Sequence, residues 1–251
     1  MIIQPVIQIW PELMFVSASF VYRERGGTCE ADTHLSQPNR FWRGGTVLGP
    51  RVVLIDEMSR SIIDFGELQA SELPLRPTGS DSQAVPKGMV AKEGVVWCTY
   101  SDSDLSGGLA YGTFTENGGI KWLVAKSDLS SYAFPFVVTT GIIVFDSTLR
   151  SMEWADPHET RHIPHLSGLE EGAVLMGPVR HGGVLSVRAG KVPDTIQLEL
   201  WKGRDEVLAA TLAELSLSAI AGCACTTERE VAVVLKNVSI VYRNPVWSVR
   251  A

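Results

Sequence analysis

The residues best suited to chemistry lie in one short stretch, His158-Glu159-Thr160-Arg161-His162. The pattern HExxH holds zinc when a helix sets its two histidines one turn apart and its glutamate acts on a metal-bound water. His165 adds a third imidazole three residues further on. Pro157 and Pro164 bracket the motif, and a proline inside a helix removes an amide donor and clashes with the preceding turn. The residues between them are too few for a stable helix of several turns. The segment therefore predicts a polar loop between strands and not a peptidase helix. His158, His162 and His165 are the candidate ligands for a transition metal held on a loop. No other cofactor is predicted.

Two carboxylates stand at like positions, Asp56 in Ile55-Asp56-Glu57 and Asp146 in Phe145-Asp146-Ser147. Paired carboxylates can work as acid and base. An Asp beside a turn, however, bonds its own backbone, and both positions abut turns. Of seven tryptophans, Trp10 and Trp42 flank turns and are the candidates for contact with a partner. An exposed indole stacks on sugars or anchors in a protein pocket; core packing is the default for the others. Two charged clusters, Tyr22-Arg23-Glu24-Arg25 and Arg40-Phe41-Trp42-Arg43, read as solvated loops. There is no phosphate-binding GxxxxGK[ST] loop and no GxSxG nucleophile elbow, and Gly107 to Gly112 lacks dinucleotide spacing.

Bulk composition narrows the partners. Of 251 residues, 22 are Lys or Arg and 28 are Asp or Glu, a net charge of −6. Nucleic-acid binding needs a concentrated basic surface, so none is predicted. No apolar run approaches the 18 or so residues of a membrane helix, and the start, Met1-Ile2-Ile3-Gln4-Pro5, does not resemble a signal peptide. The four cysteines, Cys29, Cys98, Cys223 and Cys225, do not have the spacing of a stapled small domain. On a strand Cys223 and Cys225 share a face and cannot easily bridge each other. Buried thiols in a reducing cytoplasm are the expectation.

The elements that carry these residues are strands. Continuously apolar cores begin at Leu13, Val52, Val95, Ile142, Val184 and Val231, spaced by 39, 43, 47, 42 and 47 residues. Strands buried on both faces read this way, and a four-stranded propeller blade repeats at about this period. Short strands with Gly-bearing turns precede several cores (Thr46–Leu48, Met89–Lys92, Phe136–Thr139), and third strands follow (Ser61–Phe65, Ser151–Trp154, Thr195–Leu200). The fold predicted is one all-β propeller over residues 1–251, with about six small blades and five as the next count. A large β-sandwich or barrel is the alternative.

Three details remain. Met1–Gln4 is expected to complete the last blade and close the ring. Asp205–Ile220 is ambiguous between a helix, given Leu208, Leu212 and Leu215, and a fourth strand. Residues 69–87, rich in Pro and Ser, predict a flexible loop. Fold alone does not assign function. The first functional expectation is a non-catalytic binding or scaffold module that receives a protein or small ligand on one propeller face. The alternative is a propeller enzyme with an axial site, metal-assisted through His158, His162 and His165.

Overall fold

A computed structural model describes residues 6–8, 12–26, 28–66, 70–77, 84–102, 106–139, 141–146, 151–163, 174–202 and 207–249. Their strands form six antiparallel sheets arranged as a β-propeller. The first blade is β1 (Val6–Gln8), β2 (Met14–Ser17), β3 (Phe20–Arg25) and β4 (Thr28–Ala31). The second is β5 (Trp42–Leu48), β6 (Arg51–Asp56), β7 (Ser61–Phe65) and β8 (Ala70–Leu73). The third holds β9 (Val85–Lys92), β10 (Val95–Ser101), β11 (Ser106–Phe114) and β12 (Ile120–Ser130). The fourth holds β13 (Ala133–Val138), β14 (Gly141–Asp146), β15 (Ser151–Ala155) and β16 (Thr160–Ile163). The fifth holds β17 (Val174–Pro178), β18 (Val184–Ala189), β19 (Thr195–Trp201) and β20 (Val207–Ala213). The sixth has three strands, β21 (Ile220–Thr227), β22 (Glu230–Leu235) and β23 (Ile240–Arg243). Five blades thus have at least four strands and one has three.

Every apolar run marked in the sequence is the second strand of a blade. Alternate side chains of each run feed different blade junctions, because successive residues of a strand point to opposite faces. On β14, Ile142 and Val144 pack toward the third blade, and Ile143 and Phe145 toward the fifth. On β22, Val231 and Val233 meet the fifth blade, and Ala232 and Val234 meet the first. This last cluster, with Val6, Leu13 and Phe15, joins first blade to last and closes the ring by face packing. The core is therefore six apolar seams between sheets, unlike the single interior of a two-sheet sandwich.

Met1–Gln4, expected in the last blade, lies outside the described residues. A short strand, β24 (Ser248–Val249), pairs with β20 and widens the fifth blade. Other expectations meet a different structure. Of the two readings left open for Asp205–Ile220, the described part takes the strand: Val207–Ala213 is the fourth strand of its blade, and a 3-10 turn at Leu217–Ala219 precedes β21. Leu208 and Leu212 are four apart, an even number, so they share a strand face as readily as a helix face. The supposed loop at 69–87 contains β8, a fully buried Leu75 and the start of β9. Gly49 and Gly94 take the positive φ expected in their turns, 57° and 81°, whereas Gly141 lies within β14, paired with Val138. Among the described residues no helix is long and apolar enough to cross a membrane.

The propeller has two unlike ends. The first strand of every blade starts at one end, together with the turns joining second to third strands and the crossovers from one blade to the next. We call this the crossover face. The opposite face carries the turns between first and second and between third and fourth strands.

Candidate functional site

The HExxH segment is a hairpin turn between β15 and β16, on the opposite face and on the outer half of the fourth blade. Asp156 sets it: its Oδ1 accepts from the amides of His158 (2.7 Å) and Glu159 (2.8 Å), and its own amide donates to the Glu159 carbonyl (2.8 Å). His158 is exposed there. His162 belongs to the outermost strand, opposite Glu153, and His165 lies outside the described residues. His158 and His162 thus belong to a hairpin of outer strands, away from the axis. An Asp-capped turn, and not a helix, joins those strands.

Trp42 as an exposed contact residue is corrected by its burial. Trp42 is 2% exposed and packs edge-on against Phe65, ring centroids 5.8 Å apart, in the seam between the first two blades. Trp10 lies outside the described residues. The cluster around Trp42 is not a solvated loop. Arg40 reaches Asp56 (2.9 Å), and Arg43 is buried. In the other cluster Arg23 lies between Glu12 (2.7 Å) and Asp32 (2.6 Å).

Asp56 and Asp146 perform one structural task in two blades. Each ends a second strand and grips the crossover arriving from the preceding blade. Asp56 accepts from Arg40 Nη1 (2.9 Å) and the Phe41 amide (3.0 Å), and caps its own turn through the amide of Met58 (3.2 Å) and the hydroxyl of Ser59 (2.7 Å). Asp146 accepts from the Ser130 amide and hydroxyl, both at 2.6 Å. Burial opposes ionisation of Asp56 most, yet the bonds from Arg40, Phe41, Ser59 and Met58 together hold its carboxyl below the ordinary value. The two carboxylates serve separate blades and do not form an acid–base pair.

Along the axis lies a cavity of about 220 Å³, bounded by β1, β5, β9, β13 and the β17 side, with Val6, Val47, Met89, Phe136 and Met176 among its walls. Its polar side chains are Gln8, Thr46 and Arg180. The sixth blade is pressed against the fifth here: Val179 and Cys225 form a parallel bridge, and the Arg180 amide donates to the Cys225 carbonyl (3.0 Å). Cys223 and Cys225 face this junction from one side of β21, as their spacing predicts. Burial pushes their thiols up to about 12 and about 11, far from the thiolate that reacts or binds metal.

The crossover face differs from its opposite. Among the described residues nine large apolar side chains are exposed. Phe20 opens β3 at the end of the turn between second and third strands, Met58 and Val192 stand on such turns, and Phe41 and Tyr132 on crossovers, so five share this face. Of the other four, Leu123 and Val124 lie on β12, Val249 on β24, and Val246 in the connection that leaves the end of β23, next to Trp247, whose indole donates to the Glu228 carbonyl (3.0 Å); none is on a turn within a blade. Backbone bonds hold three of the five on one platform. Trp42 N donates to Ala18 O (2.8 Å) and Glu57 N to Phe41 O (2.8 Å), while Ser19 Oγ donates to Arg40 O (2.6 Å). Beside Phe41 and Met58 opens a cleft of about 380 Å³ lined by Arg43, Glu57, Arg60, Lys87, Ser101 and Asp102, with Val85 and Pro86. None of these residues stood out as a site in the sequence. Phe41 and Arg43 do sit in the Arg-aromatic cluster, where alternation ahead of a strand was the available signal.

No family model matches the chain, and a comparison with curated proteins finds no significant match. Solved structures do share its shape. YCF48 bound to a D1 peptide has a TM-score of 0.55 at 15% identity, over 96% of this chain and 91% of that one. A nidogen/laminin complex has 0.51 at 14%, over 82% and 73%. Hsv2 of Kluyveromyces lactis has 0.51 at 8%, over 96% and 73%. The fold is a β-propeller. At these identities the likeness establishes the fold and nothing finer.

Proposed function

We propose that this propeller is a non-catalytic binding module whose crossover face receives a segment of a partner protein. One observation carries the reading: the exposed Phe20, Phe41, Met58, Tyr132 and Val192 gather on that face, and the turns of the opposite face expose no such residue among those described. Exposed apolar groups with a polar surround mark interaction sites, and Phe, Tyr, Met and Arg are enriched at protein interfaces. The hydrogen-bonded platform under Phe20, Phe41 and Met58 lowers the ordering cost of binding. Similar propellers lend support, since YCF48 is seen with a D1 peptide and nidogen with laminin. A cytoplasmic setting belongs to the same proposal and is supported by three buried free thiols; recovery of the protein in the membrane or secreted fraction of its source cells would remove it.

The test is selection of phage-displayed random peptides on the purified full chain. Enriched peptides should bind wild type, and Phe41→Ser with Met58→Ser should weaken them about tenfold or more, with Val246→Ser as the unaffected control. Failure to enrich any peptide, or equal binding by the double variant, refutes the reading.

A further inference from the structure

The sixth blade is one strand short among the described residues, and its outer edge is specific about what completes it. The third strand of every other blade pairs along its outer side with a fourth: β3 with β4, β7 with β8, β11 with β12, β15 with β16 and β19 with β20. By contrast, β23 pairs with β22 alone. The hairpin joining β22 to β23 fixes which groups lie on that open edge. Val238 takes a φ of 68°, its amide donates to the Leu235 carbonyl (2.9 Å), and the Leu235 amide donates to the Ser239 carbonyl (2.9 Å). From there bonded and non-bonded pairs alternate along the antiparallel ladder. In the register Val234↔Ile240 to Val231↔Arg243, Val241 and Arg243 therefore bond to β22, and Ile240 and Tyr242 turn their amides and carbonyls outward. The outward Tyr242 carbonyl accepts from Arg243 Nη1 (3.3 Å). The edge is Ile-Val-Tyr-Arg in regular register, without the proline, lysine or bulge that commonly guards one.

Neighbouring blades make this edge the floor of a groove. Ile240 and Tyr242 lie on the first-blade side, against the closing seam that Tyr22 and Cys29 of that blade also cover, and Tyr242 is hydrogen-bonded to Glu24 there. On the other side Trp247 packs into the seam between the fifth and sixth blades, its indole on the Glu228 carbonyl (3.0 Å). The flanking β4 and β24 are the fourth and fifth strands of their blades, so each projects beyond β23 by one strand spacing or more, about 4.8 Å.

We propose that this groove is a second binding surface, which takes one extended segment of a partner protein as the antiparallel fourth strand of the sixth blade. Main-chain bonds to Ile240 and Tyr242 hold the segment. Its alternate residues, those opposite Ile240 and Tyr242, are apolar and cover the seam to the first blade. The chain's own Ser248–Val249 is engaged elsewhere, paired with Ala209 and Leu208 of β20. Residues 1–5 lead into Val6 of β1, the innermost strand. Crossing from β1 to the open edge spans about 14 Å, three strand spacings, which takes about four extended residues and leaves too few of these five to pair. A second copy offers the same recessed edge, which the projecting β4 and β24 hold away. A single extended segment fits where a folded surface does not.

The experiment uses the full chain carrying Phe41→Ser with Met58→Ser, so that the crossover face takes no part. Random phage-displayed peptides are selected on it, labelled with fluorescein and titrated by anisotropy. Enriched peptides should place apolar residues at alternate positions and bind wild type equally well. Ile240→Pro removes one outward amide at an edge position where proline is tolerated and should weaken binding about tenfold or more. Ile240→Val keeps the amide and should bind as wild type does. Amide exchange followed by NMR reads the same bonds without a variant. The peptide should slow Ile240 and Tyr242 and leave Val241 and Arg243, already bonded to β22, unchanged. Failure to enrich any peptide, equal binding by Ile240→Pro, or no slowing at Ile240 and Tyr242 overturns the proposal. So does a free chain in which these two amides exchange as slowly as Val241 and Arg243. The edge is then already filled, by a second copy if the slowing is lost on dilution and by residues 1–5 if it is not.

Discussion

Asp56→Ala should unlatch the second blade from the crossover that enters it. The carboxylate is 1% exposed and accepts from Arg40, the Phe41 and Met58 amides and the Ser59 hydroxyl. Alanine leaves a mostly buried guanidinium with only the Ser59 hydroxyl (3.2 Å) and takes the acceptor from the Phe41 amide. Breaking a buried charged pair costs about 3–5 kcal/mol. Asn keeps one acceptor oxygen but loses the charge, and should cost about 1.5–3 kcal/mol. For a chain of this size each kcal/mol moves the melting temperature by about 2–4 °C, so Asp56→Ala should melt about 6–20 °C below wild type by calorimetry. The pH dependence has a definite sign. The folded carboxyl titrates below its ordinary value of 3.8, so its contribution is complete above that pH and is lost as pH falls through the lower folded value. The gap between wild type and Asp56→Asn should therefore be full at pH 6 and shrink below pH 3.8. A loss under about 1 kcal/mol for Asp56→Ala, or a gap that widens in acid, refutes the latch.

Further outcomes follow from single contacts. A Cβ on Gly177 would lie 1.8 Å from the Cys223 carbonyl oxygen, so Gly177→Val should separate β17 from β21 and cost about 1–3 kcal/mol or more; a neutral result in urea unfolding contradicts that packing. Trp42→Ala should cost about 3–5 kcal/mol while its neighbour Phe41→Ser stays within about 0.5 kcal/mol, the reverse ranking being incompatible with their burial. In native protein at pH 8, iodoacetamide should label the partly exposed Cys29 before the buried Cys98, Cys223 and Cys225; early labelling of Cys225 would contradict its placement.

The strand cores were legible because a strand buried on both faces leaves an unbroken apolar run, and six runs at one period imply six copies of one unit. Boundaries inside a blade were also legible where alternation was clean, as in Thr195–Trp201. Leu208 and Leu212 were not decisive, because a separation of four suits both periods. Ala70–Leu73 escaped notice since an outer strand with three exposed residues of four has almost no apolar pattern to read. Arg40-Phe41-Trp42-Arg43 misled for a different reason. Which of its four side chains are buried depends on Asp56 and Glu57, which are distant in sequence, and on Phe134 from a blade further round. The same non-locality hid the site. Arg43, Arg60 and Lys87 converge only because the second and third blades stand side by side, and no spacing within one segment encodes that. His158 and His162 show the converse: their spacing suggests one helix face, whereas Asp156 caps a turn there and His162 falls on an outer strand.

The central claim is that the crossover face, and not its opposite, receives a partner segment. The most direct measurement is photo-crosslinking with benzoylphenylalanine placed either at Phe41 or at Glu159, against one biotinylated peptide enriched on the wild-type chain. The account predicts a crosslinked product from position 41 that an excess of unlabelled peptide suppresses, and none from position 159. A suppressible crosslink from position 159 with none from position 41 would place the binding surface on the wrong end of the propeller and contradict it.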